Sequence, residues 1–195
     1  MNTLKAERRS LDTKAKKLRR EGFVTGNVFG KELKETIPVK IEKKDAERLL
    51  KTCNKGSQIM LEVEGKKLDV LIKEIDYNSM KRQIDEIDFQ ALVSGEEVHS
   101  VAEVVLLNHD KVVNGLIQLK LHEIAYKAVP EALVDKVEIN MENMKIGDSI
   151  LVKDLELASN EKIHLMTDPE ATVVAVTEIH NKAAETDTEE AAAEE

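Results

Sequence analysis

The stretch Ser57–Tyr77, SQIMLEVEGKKLDVLIKEIDY, admits few folds. Ile59, Leu61 and Val63 alternate with other residues, and after Glu64-Gly65-Lys66 the alternation resumes at Leu68, Val70 and Ile72, with Leu71 as a second apolar set. A period of two lines one face of a strand, and a Gly-containing turn between two such runs predicts a hairpin. The same signature recurs on both sides. Ile37, Val39 and Ile41 alternate over Thr36–Ile41, with Pro38 suggesting an edge position. Ile84–Val93 alternates imperfectly, and the break between Ile84 and Ile87 hints at a bulge. Gly22, Gly26 and Gly30 punctuate Phe23–Phe29. On paper that spacing resembles a helix-contact motif, but in a β-rich chain it better predicts a strand that bends or lets another backbone come close.

From Val98 onward the pattern is strand after strand: Val98–Leu107, Gly115–Leu121, Glu123–Val129, Val134–Asn140, Ser149–Val152, Ile163–Met166 and Thr172–Ile179. Short strands at regular spacing predict an antiparallel sheet or barrel rather than a parallel one. One short helix is predicted at Lys43–Cys53, where Ala46, Leu49, Leu50 and Cys53 share a face and Gly56 follows. Residues 5–22 read as a short helix or an ordered arm. Ser94–Glu97 reads as a hinge. The fold class is therefore mainly β, divided at 1–93, 94–182 and a tail at 183–195. That tail, AAETDTEEAAAEE, has six acids and no base, so it is expected to be disordered.

Charge separates these parts. Through Val93 there are 21 Lys+Arg against 16 Asp+Glu, and the remainder holds 8 against 22, so +5 and −14 make up the net −9. Residues 1–22 alone carry 8 basic and 3 acidic side chains. Such asymmetry points to a polyanion partner for the basic part, against the plainer reading of a solvated charged face. Lys14, Lys16, Lys17, Arg19 and Arg20 put five positive charges into seven residues, and Arg8 and Arg9 extend them. That density suits phosphate contacts. Phe23, Phe29 and Tyr77 are available for base stacking, although a Phe between glycines also suits a core.

Other chemistry finds no support. Apolar runs reach only four residues, as in Val104–Leu107, so no membrane span is expected. MNTLKAERRS lacks the apolar region of a secretory signal. The lone Cys53 has no disulfide partner and reads as a small buried hydrophobe in a reducing, cytoplasmic setting. His99, His109, His122, His164 and His180 show no metal-ligand spacing. Asp85, Glu86 and Asp88 cluster without the apolar setting of a catalytic pair. No phosphate-cradling loop or nucleophile elbow is present. No enzyme, cofactor, metal or small-molecule substrate is expected.

Two stretches carry a resemblance. LRREGFVTGNVFGKELKETIPVKI, with the later IDEIDF, and PEALVDKVEINMENMKIGDSILVKDLELASNEKIHLMTDPEATVVAV are similar to the bacterial large-subunit ribosomal protein that binds 5S rRNA, in its long form of the general stress protein Ctc type. The resemblance runs from about Leu4 to Glu178. It implies an N-terminal six-stranded β-barrel, a β-rich C-terminal domain, and docking on 5S rRNA in the central protuberance among neighbouring ribosomal proteins. The barrel of that family reads shape, phosphates and 2′-hydroxyls in the wide minor groove.

Carried onto this chain, the resemblance implies phosphate contacts at Lys16, Lys17 and Arg19, within the charge cluster that by its density also offers Arg8, Arg9, Lys14 and Arg20 for RNA binding. It implies stacking by Phe29 and a 2′-hydroxyl or base-edge acceptor at Asp88. The family's Arg-Arg-Leu-Arg falls on Lys16–Arg19, its Tyr-Gly on Phe29-Gly30, and its His-x-Asp-Phe on Glu86–Phe89. The family's Gly-Lys-Gly is Leu11-Asp12-Thr13 here, its strand proline is Thr25, and its Gln-Arg-His-Pro is Asp76–Ser79. Most of these changes remove a cation or a donor. They support an alternative expectation: a stress-associated paralogue with weakened 5S rRNA binding that acts through protein contacts.

Overall fold

The computed structural model describes residues 2–10, 12–33, 35–111, 115–142 and 144–178. The tail expected to be disordered, and Ile179 at the end of the last predicted strand, lie outside them.

The first half is a closed barrel. Its strands are β1 (Thr3–Arg8), β2 (Phe23–Phe29), β3 (Ile37–Glu42), β4 (Gln58–Val63), β5 (Lys66–Asn78) and β6 (Gln83–Ala91), in the order β1-β3-β2-β6-β5-β4. The β4–β5 hairpin pairs Gln58–Val63 with Leu71–Lys66 across a two-residue turn. Both turn residues, Glu64 and Gly65, have positive φ (49° and 80°), which matches the turn to the strand twist. Two seams are parallel. Thr3–Ala6 runs beside Met60–Val63, and Thr25–Phe29 runs beside Glu86–Gln90.

The second seam explains Gly26 within β2 and Gly30 just after it. A Cβ on Gly26 would lie 2.0 Å from the Ile87 carbonyl oxygen, and one on Gly30 would lie 2.8 Å from the Ala91 Cβ. The expected bulge is present, because Asp85 on β6 has no opposite number between the Asp76–Glu86 and Tyr77–Ile84 pairs. A second shift leaves Lys73 of β5 unmatched.

Two expectations are corrected. Residues 5–22 are not one helix or arm: Thr3–Arg8 is the first barrel strand, and only Ala15–Arg20 is helical (α1). Pro38 is not on an edge strand, because β3 pairs with both β1 and β2. Its carbonyl accepts from the Arg9 N–H at 2.8 Å, so its ring nitrogen stands at the last rung of the β1–β3 ladder, where the missing donor ends the pairing.

The barrel interior is aliphatic, as the 3% aromatic content requires. Val24, Val28, Ile41, Ile59, Leu61, Ile72 and Ile87 are fully buried, with Phe89 as the one large ring. Each such side chain contributes roughly 1.5–3 kcal/mol on burial. A second helix, α2 (Lys43–Leu49), places Ala46 and Leu49 in this core, and Cys53 follows them.

The second half forms two sheets. One has the order β10-β7-β9-β12, from β7 (Val98–Leu107), β9 (Glu123–Ala128), β10 (Lys136–Asn140) and β12 (Ile163–Leu165). The other is β11-β13-β8, from β8 (Gly115–Leu119), β11 (Ser149–Leu151) and β13 (Thr172–Glu178). All pairs here are antiparallel except β10–β7, which departs from the expected pattern.

Tyr126 anchors the core of this half. It is fully buried, and its hydroxyl donates to the Val134 carbonyl (2.9 Å) and accepts from the Val134 N–H (2.8 Å). Burial pushes its phenol pKa up, opposed by hydrogen bonding from the Val134 backbone N–H and from Ser100. Tyr126→Phe is expected to cost about 1–2 kcal/mol in urea unfolding, because both backbone groups of the half-buried Val134 lose their partner.

The halves meet at the turn after α2. Gly56 (φ +88°) lies so close to β7 that a Cβ would sit 2.0 Å from the Val101 carbonyl oxygen. Ion pairs and hydrogen bonds flank it: Lys55 with Glu123 (3.2 Å), the Lys73 ammonium to the His99 carbonyl (2.8 Å), and the Asn54 amide with Glu103.

Candidate nucleic-acid interface

α1 is barely a turn and a half long, and Leu18 is its one buried residue. That anchor seats it on β2 and turns Lys14, Lys16, Lys17 and Arg20 to solvent. Lys17, Arg19 and Arg20 fall in the last turn, where the carbonyl end of the helix favours cations. Lys17 makes a single exposed i,i+4 contact with Glu21 at 3.9 Å, which holds it only weakly.

Arg19 differs from its neighbours. Its Nε donates to the Asp85 carbonyl at 3.0 Å, and its guanidinium also reaches Glu86 (3.4 Å) and the Thr25 hydroxyl (3.5 Å). The side chain therefore ties α1 to the bulge of β6. The Asp85 carboxyl is held below the usual aspartate range, first by the Gln83 amide (2.8 Å), with help from Asn78 and from the charges of Arg19 and Lys81. Arg19→Ala is expected to lower stability by about 1–2 kcal/mol, seen as a lower urea midpoint with unchanged slope, since it removes a charged donor from three partly buried acceptors.

Asp88 and Phe29 lie on the outer face of the β2–β6 seam. The parallel register sets Thr25, Asn27 and Phe29 beside Glu86, Asp88 and Gln90. Asp88 accepts from the Asn27 backbone N–H and side-chain amide, both at 3.1 Å, and the same amide reaches Glu86 at 3.2 Å. Asn27 thus positions both carboxylates. Phe29 is half-buried at the end of β2.

Arg9 joins this face from the other side. Arg9 bonds Pro38, Pro38 opposes Asn27, Asn27 opposes Asp88, and Asp88 opposes Glu74, so these residues form one rung across four strands and into a fifth. The Arg9 Nε is buried without a protein acceptor. Arg8, one residue earlier, is exposed at the end of β1.

The structure thus brings Arg9, Arg19, Phe29 and Asp88 to one wall of the barrel, with Lys14, Lys16, Lys17 and Arg20 on the helix packed against that wall. It also shows partners that charge counting missed. Thr25, Asn27 and Gln83 set the positions of Arg19, Glu86, Asp88 and Asp85, and for Thr25 and Asn27 the alternation of β2 was the available signal. Lys81, in the β5–β6 turn, is close enough to help hold Asp85 ionised. Carboxylates concentrate on the strands themselves, because Asp76 faces Glu86 and Glu74 faces Asp88. The wall is therefore acidic along β5–β6 and cationic where α1 covers β2. Among the described residues no group of His, Cys, Asp and Glu has the arrangement of a metal site, and no helix is long and apolar enough to cross a membrane.

Comparison with known proteins matches both halves. Residues 4–89 match the Ribosomal L25p family, and residues 97–180 match the ribosomal protein TL5, C-terminal domain. The chain is 33% identical over 157 residues to the large ribosomal subunit protein bL25 of Dictyoglomus thermophilum, covering 76% of each chain. It is 28% identical over 199 residues to the bL25 protein of Bacillus velezensis, spanning 100% of this chain and 97% of that one. The bL25 protein of Caldanaerobacter subterraneus is 28% identical over 179 residues, with 89% and 88% covered. With a closed six-stranded barrel under the first match and a β-rich unit under the second, the chain belongs to the Ribosomal L25p family, in the long form that carries the TL5-type C-terminal domain.

Proposed function

We propose that this protein is a structural component of the large ribosomal subunit in the cytoplasm and that its barrel binds 5S rRNA. One observation carries this reading: a short helix, held on β2 by Leu18 and Arg19, presents four solvent-facing cations beside the Arg9–Asn27–Asp88 rung. A row of cations at the edge of a rigid sheet fits the phosphates lining a wide A-form minor groove. In this reading Lys14, Lys16, Lys17, Arg20 and Arg8 contact phosphate, with Lys81 extending the row. Arg9 and Arg19 position the surface. Phe29 supplies stacking area, and Asp88 accepts from a 2′-hydroxyl or base edge. The role is one of binding and architecture, not catalysis.

A second reading has its own observation. Glu74, Asp76, Glu86 and Asp88 make the β5–β6 part of the wall repel phosphate. It describes a paralogue with weak 5S rRNA affinity that acts through protein contacts. A gel shift comparing a 5S rRNA fragment with an unrelated duplex of equal length separates the two. The ribosomal reading expects clear preference for the 5S fragment and co-sedimentation with the large subunit. Equal affinity for both duplexes overturns it in favour of the paralogue.

A further inference from the structure

β10 is the end strand of its sheet, and among the described residues nothing pairs with its other side. The direction of its backbone groups is fixed by two bonds: the Glu103 N–H donates to the Asp135 carbonyl (3.0 Å), and the Met141 N–H donates to the Leu107 carbonyl (2.9 Å). Residues two apart in a strand point the same way, so Val137 and Ile139 also face β7. The N–H and C=O groups of Lys136, Glu138 and Asn140 therefore face outward, three rungs in five residues that no described strand pairs.

A groove of about 700 Å³ runs along this edge. Its apolar lining includes Ile150 and Leu107, the latter 38% exposed. Among the described residues its charged lining is Glu138, Asp154 and Glu156 against one cation, Lys136. An exposed edge beside an apolar channel is the arrangement that accepts an added strand.

We infer that β10 and this groove bind an extended, basic segment of another protein as an additional strand, its cations alternating with apolar residues. The alternation follows from the register. On β10 the side chains of Val137 and Ile139 are buried while Lys136, Glu138 and Asn140 are exposed, so a neighbouring strand meets apolar positions on one face and Glu138 on the other. Asp154 and Glu156 supply negative charge across the groove. The half of the chain that holds the site carries the −14 surplus, which draws a basic segment from a distance. The chain's own last residues, with six acids and no base from Ala183, are repelled by the same rim.

The test uses the full chain and a fluorescein-labelled eight-residue peptide alternating lysine with valine, followed by anisotropy. Binding by the unmodified protein is expected, with an alternating glutamate–valine peptide at least about tenfold weaker. The decisive pair is Glu138→Gln against Glu138→Pro. Both remove the charge, but only proline removes the outward N–H, and it leaves the β7 ladder intact. Glu138→Pro is expected to bind at least about tenfold more weakly than Glu138→Gln. Should Glu138→Pro lose its circular dichroism, Lys136→Pro makes the same deletion at the first residue of the strand.

Equal binding by the proline and glutamine variants overturns the inference. So does failure of the unmodified chain to bind the lysine–valine peptide, or equal binding of the glutamate–valine peptide. A dimer in sedimentation that the proline variant abolishes overturns it in favour of a second copy. Loss of 5S rRNA binding in the proline variant, with peptide binding unchanged, overturns it in favour of RNA. None of the peptide results depends on the barrel's RNA reading, so the two stand or fall separately.

Discussion

Gly26→Val is expected to unfold the barrel, with urea denaturation showing a loss of more than about 3 kcal/mol, beyond the usual range for overpacking. The reason is the parallel seam. A Cβ at this position lies 2.0 Å from the Ile87 carbonyl oxygen and 3.2 Å from its carbon, so the clash is with backbone. Ile87 is fully buried, and β6 is held on its other side by β5, so relief requires moving a wall of a closed ring. Domains with about 5–15 kcal/mol of total stability do not absorb that easily. Gly65→Ala is the control. Gly65 has positive φ (80°), but a Cβ there meets nothing within 4 Å, so only the left-handed backbone penalty of about 1–2 kcal/mol applies. If Gly26→Val proves no worse than Gly65→Ala, β2 and β6 are not in close contact at Gly26.

The second large effect concerns RNA. The triple variant Lys16→Ala, Lys17→Ala, Arg20→Ala is expected to weaken binding of a 5S rRNA fragment about a hundredfold or more near 0.1 M salt, and to flatten the log–log salt slope by about 2 to 3. Alanine is the best helix former, and Leu18 and Arg19 stay in place, so α1 remains docked. The ion pair between Lys17 and Glu21, which this variant removes, is exposed and contributes little to stability. Binding isotherms from about 50 to 300 mM salt measure both quantities. An unchanged slope moves the RNA contact away from α1.

Local features of the fold were legible because neighbouring residues determine them. The hairpin at Glu64-Gly65, the helix carrying Ala46 and Leu49, and the bulge between Ile84 and Ile87 each follow from a few adjacent side chains. β1 was not legible as a strand. It buries only Leu4 and Ala6, and two apolar positions among charges give too little alternation to distinguish it from a basic arm. Arg8 and Arg9 consequently lie at the end of a barrel strand, not in the helix that carries Lys16, Lys17 and Arg20. Both parallel seams were also hidden, since nothing local distinguishes a parallel partner from an antiparallel one.

The candidate site divides the same way. That Lys14–Arg20 is cationic is plain in the sequence. That Arg19 is turned inward is not, because the Asp85 and Glu86 groups that hold it lie 66 and 67 residues further along.

The seam between β2 and β6 also governs when this protein acquires its shape during synthesis. Asn27 and Asp88 are 61 residues apart, so β2 leaves the ribosome long before its partner. Until then β2 has β3 on one side and an open edge on the other, while the hairpin β4–β5 waits for the same strand. Closure must therefore be late and concerted, gated by the emergence of Ala91. The cationic helix is seated on β2 by Leu18 before that, but it is locked only then, because Arg19 finds Asp85 and Glu86 in that last strand. An incomplete nascent chain thus carries the charges but not the surface that arranges them.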